Sequence, residues 1–147
     1  AEDGFDLPPG SVGENLVLRG IDEATAHIGD VWQWGGALVQ ISQPRAPCFK
    51  LALHTGRKEI AGVMIATGRC GWYLRTLEPG SVGVGGTITV VDSDPTAATV
   101  AEAFAVMFPN LRGEAGDPET VDRVLRSRAI APEWTGYVRA RNPLAAS

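Results

Sequence analysis

Ile41-Ser42-Gln43-Pro44-Arg45-Ala46-Pro47-Cys48-Phe49-Lys50-Leu51 is where one kind of structure gives way to another. The apolar alternation that leads into it, Ala37, Val39 and Ile41, predicts a strand. Pro44 and Pro47 fix φ and donate nothing to a ladder, so they are expected to stop that strand and turn the chain. No breaker follows between Cys48 and His54, and a short helix is expected there, with Pro47 in its first turn. Cys48 would then stand at a helix N-terminus, close in sequence to Arg45 and Lys50. Unpaired backbone N–H groups and two cations favour the thiolate over the thiol. A thiolate held this way serves as a nucleophile, a redox centre or a soft metal ligand. The commoner fate of a lone cysteine is burial as a small hydrophobe. The flanking Arg45 and Lys50 weigh toward function, while this stretch alone leaves both readings open.

Upstream, Ile28-Gly29-Asp30 makes a tight turn into Val31-Trp32-Gln33-Trp34, an alternating strand. Gly35-Gly36 is a hairpin signal leading into Ala37–Ile41. Earlier still, Val12 to Leu18 reads as a short strand interrupted by Gly13-Glu14-Asn15. A glycine, a carboxylate and an amide inside an apolar run mark either function or a bulge. Residues 1–11, with Pro8-Pro9-Gly10-Ser11, read as a tail or loop, and Asp22-Glu23-Ala24-Thr25 as a turn.

Downstream, Ile60, Ala61, Met64 and Ile65 form a small helical stripe within Arg57–Thr67, which Gly68-Arg69-Cys70-Gly71 breaks. Trp72–Leu77 and Thr87–Val91 read as strands, joined through Pro79-Gly80 and the glycine-rich 83–86 turn. Many short strands with glycine turns predict a mainly β fold, a small barrel or sandwich, with short helices inserted. At Asp94 the composition changes. Asp94-Pro95 and Asp117-Pro118 each pair an N-cap aspartate with proline in the first helical position, and Pro132-Glu133 opens a third segment. Val100, Phe104, Met107, Phe108 and Leu111 mark the apolar face of the first helix, and Val121, Val124 and Leu125 that of the second. Trp134, Tyr137 and Val138 mark the third. Glu119/Arg123 and Asp122/Arg126, four apart, are expected to pair on the solvent side of the second helix. The expected organisation is a tail over 1–11, a β domain over 12–93, a three-helix extension over 94–142 and a tail over 143–147.

With 147 residues, 44% hydrophobic and 20% charged, the chain can bury one sizeable core. A net charge of −4 without a basic cluster argues against a nucleic-acid partner. No apolar run approaches the roughly 20 residues of a membrane-spanning helix. The acidic start Ala1-Glu2-Asp3-Gly4 lacks the regions of a signal peptide. With only two cysteines, Cys48 and Cys70, free thiols and a cytoplasmic location are expected. There is no Cys-x-x-Cys, no clustered histidine and no Gly-x-Ser-x-Gly, so zinc and a hydrolase triad have little support. Gly83-Val84-Gly85-Gly86 precedes a strand, which makes it turn chemistry instead of a phosphate cradle. His27 and His54 read as satisfied histidines, Cys70 as a bystander, and the four tryptophans as core, with Trp72 beside Tyr73 able to wall a pocket.

Gly13-Glu14-Asn15-Leu16, Ile28-Gly29-Asp30, Ser42-Gln43-Pro44-Arg45-Ala46-Pro47-Cys48-Phe49-Lys50 and Gly68-Arg69-Cys70-Gly71-Trp72-Tyr73, in this order, resemble the MOSC family, named for the C-terminal domain of molybdenum cofactor sulfurases. The likeness runs from about Val12 to Asp92, and the tail, including Ala131-Pro132-Glu133-Trp134, resembles the three-helix extension of small bacterial members. It implies a β-barrel-like fold and a molybdenum cofactor bound through a molybdopterin dithiolene. Cys48 matches the cysteine that coordinates the metal in such proteins, in keeping with the preference of a sulfur-rich metal centre for soft ligands. Asn15, Arg45 and Lys50 match polar positions that would hold the pterin and its phosphate, Arg45 through its planar fork. The resemblance also implies reduction of N-hydroxylated compounds, hydroxylated purine bases among them. The two-electron step would run through the metal while the protein supplies pocket and ligands, and a separate reductase would deliver the electrons. Two further roles stay open at this point: a persulfide carrier using Cys48, and a non-catalytic domain that binds a partner or small ligand. Family members carry an upstream segment with a Gly-Asp turn and a His-Gly-Gly motif, whereas this chain begins about a dozen residues before its Gly-Glu-Asn run. An open barrel edge is therefore expected, with a homodimer through that edge as its consequence.

Overall fold

The hairpin forms where the alternation predicts it. In the computed structural model, which describes residues 7–109 and 116–142, β1 (Val31–Trp34) and β2 (Ala37–Pro44) pair antiparallel around Gly35, which takes a φ of 54°. A positive φ at the turn is what a tight two-residue connection requires, and glycine supplies it without steric cost. β3 (Trp72–Glu78) pairs with β2 and β4 (Ile88–Asp92) pairs with β1, giving one antiparallel sheet in the order β3-β2-β1-β4.

Two expectations about the β part need correction. Among the described residues the sheet does not close into a barrel: β3 and β4 are its two edges, and the fold is mixed α/β, with five helices on four strands. Val12–Leu18 is not a strand. It follows two consecutive turns, closed by Ser11 N–H to the Pro8 carbonyl and Gly13 N–H to the Gly10 carbonyl, both 3.1 Å. Pro44 ends the strand as expected: it is the last residue of β2 and faces Trp72 across the ladder. Proline is tolerated at that terminal position because the ladder asks no further donor of it.

Helix α1 (Phe49–Thr55) starts one residue beyond Cys48, and Pro47 stands just outside it. Helix α2 (Ile60–Thr67) buries Ile60 and Met64. Helix α3 (Val100–Met107) begins later than Asp94 predicts. Asp94 instead closes its own turn, accepting from the Thr96 N–H at 2.8 Å and the Thr96 hydroxyl at 2.6 Å. The cap of α3 is Thr99, whose hydroxyl accepts from Glu102 N–H at 3.1 Å while the Glu102 carboxylate accepts from Thr99 N–H at 2.8 Å, a reciprocal capping box. Helices α4 (Pro118–Arg126) and α5 (Pro132–Arg141) open as expected, with proline in the first turn of each and Asp117 accepting from Thr120 N–H in front of α4. Leu111 lies outside the described residues.

A single apolar core joins sheet and helices: Trp32, Val39 and Ile41 pack with Phe104, Val121, Val124, Trp134 and Val138. Trp32, 1% exposed, meets the ring of Trp72 edge-on at 5.9 Å. The α4–α5 connection is tied to the sheet by Ala131 N–H to the Ser42 carbonyl (3.1 Å) and by the Arg75 guanidinium to the Ala129 carbonyl (3.0 Å). These contacts fix the end of β2, from which the candidate site departs. No helix among the described residues is long and apolar enough to cross a membrane.

Candidate functional site

Where the β2–β3 ladder ends at Pro44 and Trp72, the chain leaves the sheet under continued restraint. Arg45 N–H donates to the Gly71 carbonyl at 3.0 Å, and Gly71 N–H donates to the Glu23 carboxylate at 2.8 Å. The peptide groups on both sides of Gly71 are thus occupied, and the backbone of Arg45 is held one step beyond the sheet.

The half-buried Arg45 side chain then reaches across 33 positions of sequence to the carbonyl of Val12, which accepts from its Nη2. Val12 belongs to the turns that precede Asn15. The next carboxylate, Glu14, folds back on the same turns, accepting from Gly10 N–H at 2.5 Å and Val12 N–H at 3.1 Å. Burial works against ionisation of Glu14. The N–H groups of Glu14, Gly10 and Val12 and the nearby Arg45 charge outweigh it, and hold the carboxyl below the usual glutamate range.

Cys48 is the exposed N-cap residue of α1, in extended conformation, and its side chain takes up no capping bond. Lys50 and Asn15 are exposed as well. Among the described residues no hydrogen bond joins either of them to Cys48 or Arg45. The four residues singled out by sequence therefore divide: Arg45 is locked to the loop that carries Asn15, and Cys48 and Lys50 follow Arg45 on the same segment. Phe49, beside the thiol, leaves 74% of its surface exposed.

The second cysteine behaves differently. Cys70 is buried in the core, and burial, with the Glu23 charge adding to it, pushes its thiol up to about 12. It stays protonated and unreactive at neutral pH. Glu14 and Glu23 organise this region; the sequence marked Glu14 within its Gly-Glu-Asn run but gave it no role in the site, and it read Glu23 only as part of a turn. For Glu14 a signal existed, a charge inside an apolar run. Glu23 gives none, since its partner Gly71 lies 48 positions away.

An open cleft of about 490 Å³ lies elsewhere, between the 92–97 segment and the end of α4. Its charged groups are largely satisfied internally: Arg123 by Glu102, Arg126 by Asp122, and Asp94 by Thr96. The expected Glu119/Arg123 pair is replaced by the longer-range one to Glu102, at 2.7 Å. Asp122/Arg126 pairs as expected, at 2.8 Å.

Comparison with known proteins places these features in context. A family model described as the MOSC domain matches residues 1–89. Protein YiiM of Escherichia coli is 35% identical over 129 residues, which are 88% of this chain and 55% of that protein. A Gibberella moniliformis protein named Reductase is 37% identical over 84 residues, 56% of this chain and 15% of that one. The crystal structure of YiiM from Geobacillus stearothermophilus superposes with a TM-score of 0.84 at 27% identity, covering 96% of this chain and 70% of that one. The chain spans about half the length of the curated relatives it matches.

Proposed function

Because the chain belongs to the MOSC domain family, we propose that it binds a molybdenum cofactor, with Cys48 as the protein's metal ligand, and acts as an oxidoreductase domain. One observation carries the reading. An exposed thiol at the head of α1 shares its segment with a half-buried arginine that backbone bonds hold in place. The donor set fits such a group. Cys48 offers a soft sulfur ligand not engaged in capping its helix. Arg45 spends one of its five N–H donors on Val12 and keeps the others for a phosphate. Asn15 and Lys50 are free to hydrogen-bond the pterin.

When bound, the cofactor supplies two-electron redox chemistry. The protein's part is to fix the metal through Cys48, to anchor the phosphate through Arg45, and to present the exposed Phe49 ring as an apolar wall beside the thiol. N-hydroxylated compounds are the proposed substrates, reduced with electrons from a separate reductase in the cytoplasm; the reductase-named relative supports this direction of reaction.

The test is molybdenum content by elemental analysis, with pterin fluorescence after oxidation, on protein made in a cofactor-producing host. Near-stoichiometric metal and pterin, lost in Cys48→Ser while the fold is retained, is the expected result. Wild-type protein lacking both overturns the reading.

A further inference from the structure

We propose that Glu14 is a positioning residue for Arg45: the two side chains hold the N–H and the carbonyl of the same residue, Val12, so that Glu14 sets the guanidinium fork in place for an anionic group. This rests on the reading of Arg45 as the phosphate anchor. Val12 is held twice. Its N–H donates to Glu14 Oε2 at 3.1 Å, and its carbonyl accepts from Arg45 Nη2. The other carboxylate oxygen, Oε1, accepts from Gly10 N–H at 2.5 Å and fastens the turn in front. Both turns need glycine, since Gly10 and Gly13 have φ of 90° and 76°.

A carboxylate near an anion site opposes anion binding by its charge alone. The geometry gives Glu14 the contrary effect. A long arginine side chain loses rotamer freedom when it binds, and a fork already fixed through Val12 has less to lose. Among the described residues, no second hydrogen bond from the Arg45 side chain competes for the remaining donors. The Arg45 charge in turn helps keep Glu14 ionised, so that it accepts at both oxygens.

The sign of the effect decides the matter. Inorganic pyrophosphate is titrated calorimetrically into the whole chain, as wild type and as Glu14→Gln, Glu14→Asp and Arg45→Ala. Positioning predicts that Gln, which removes the opposing charge, and Asp, which keeps the charge but shortens the reach, both weaken binding by roughly tenfold. Tighter binding in Glu14→Gln, or unchanged binding in Glu14→Asp, overturns the proposal. Binding that survives Arg45→Ala, or is absent in wild type, overturns the phosphate-anchor reading instead. In that case the Arg45 Nη2–H resonance, from the proton donated to the Val12 carbonyl, still decides on Glu14. Positioning predicts a distinct, slowly exchanging signal in wild type that joins the solvent-exposed arginines in both Glu14 variants, and a signal unmoved by either variant overturns it.

Discussion

The Glu102 carboxylate and the Arg123 guanidinium meet at 2.7 Å, so the residue that caps the start of α3 also bonds α3 to α4. Burial pushes the Glu102 carboxyl up, but the Thr99 N–H and Arg123 outweigh it and hold the carboxyl below its ordinary range. A depressed folded value means stability that is complete above the unfolded pKa and lost as pH falls through the folded one.

Glu102→Ala should therefore cost about 1–2 kcal/mol at neutral pH, through the lost cap and the orphaned Arg123. The gap between wild type and variant should narrow as pH falls below about 4. Urea unfolding across that range measures it, and a pH-independent gap would contradict the assigned role.

The two cysteines should separate chemically. In native protein at mildly alkaline pH, iodoacetamide should modify Cys48 alone, since it is exposed, while burial keeps Cys70 a thiol. Unfolding should release the second equivalent. Mass spectrometry reads the count directly.

Glycines around the 79–86 connection should differ in tolerance. A Cβ on Gly80 would run into the Gly36 carbonyl and the Ala37 nitrogen, whereas one on Gly83 meets nothing within 4 Å. Gly80→Ala should lower stability by roughly 1–3 kcal/mol, because backbone must move to admit it. Gly83→Ala should fall within about 0.5 kcal/mol of wild type. Thermal melts of the pair test the contrast.

What was legible in the sequence was what local chemistry decides. Alternation and Gly35-Gly36 give the β1–β2 hairpin, and prolines in the first turn give α4 and α5. Asp94 misled because Asp-Pro-Thr serves an Asx turn as readily as a helix cap. The true cap was visible as Thr99-x-x-Glu102. Val12–Leu18 has strand-like composition, but a strand exists only with a partner, and here the backbone of Val12 is used by Glu14 and Arg45. Cys48 and Arg45 could be singled out from their own segment. That Arg45 would be tied to residue 12, and Gly71 to Glu23, depends on tertiary contacts that no local pattern encodes.

The sheet ends in two unlike borders, β3 on one side and β4 on the other. Val90 and Val91 on β4 are about half exposed, and Ile88–Asp92 carries neither lysine nor proline to discourage pairing. If β3 of one molecule were to add to β4 of the next, each addition would leave the same two borders at the ends of a longer stack. Growth of that kind has a direction and no natural stopping point, unlike a symmetric pair that consumes its own contact surface. Were such addition to occur, concentration itself would become a variable in handling this chain, with open-ended stacking as the outcome to watch.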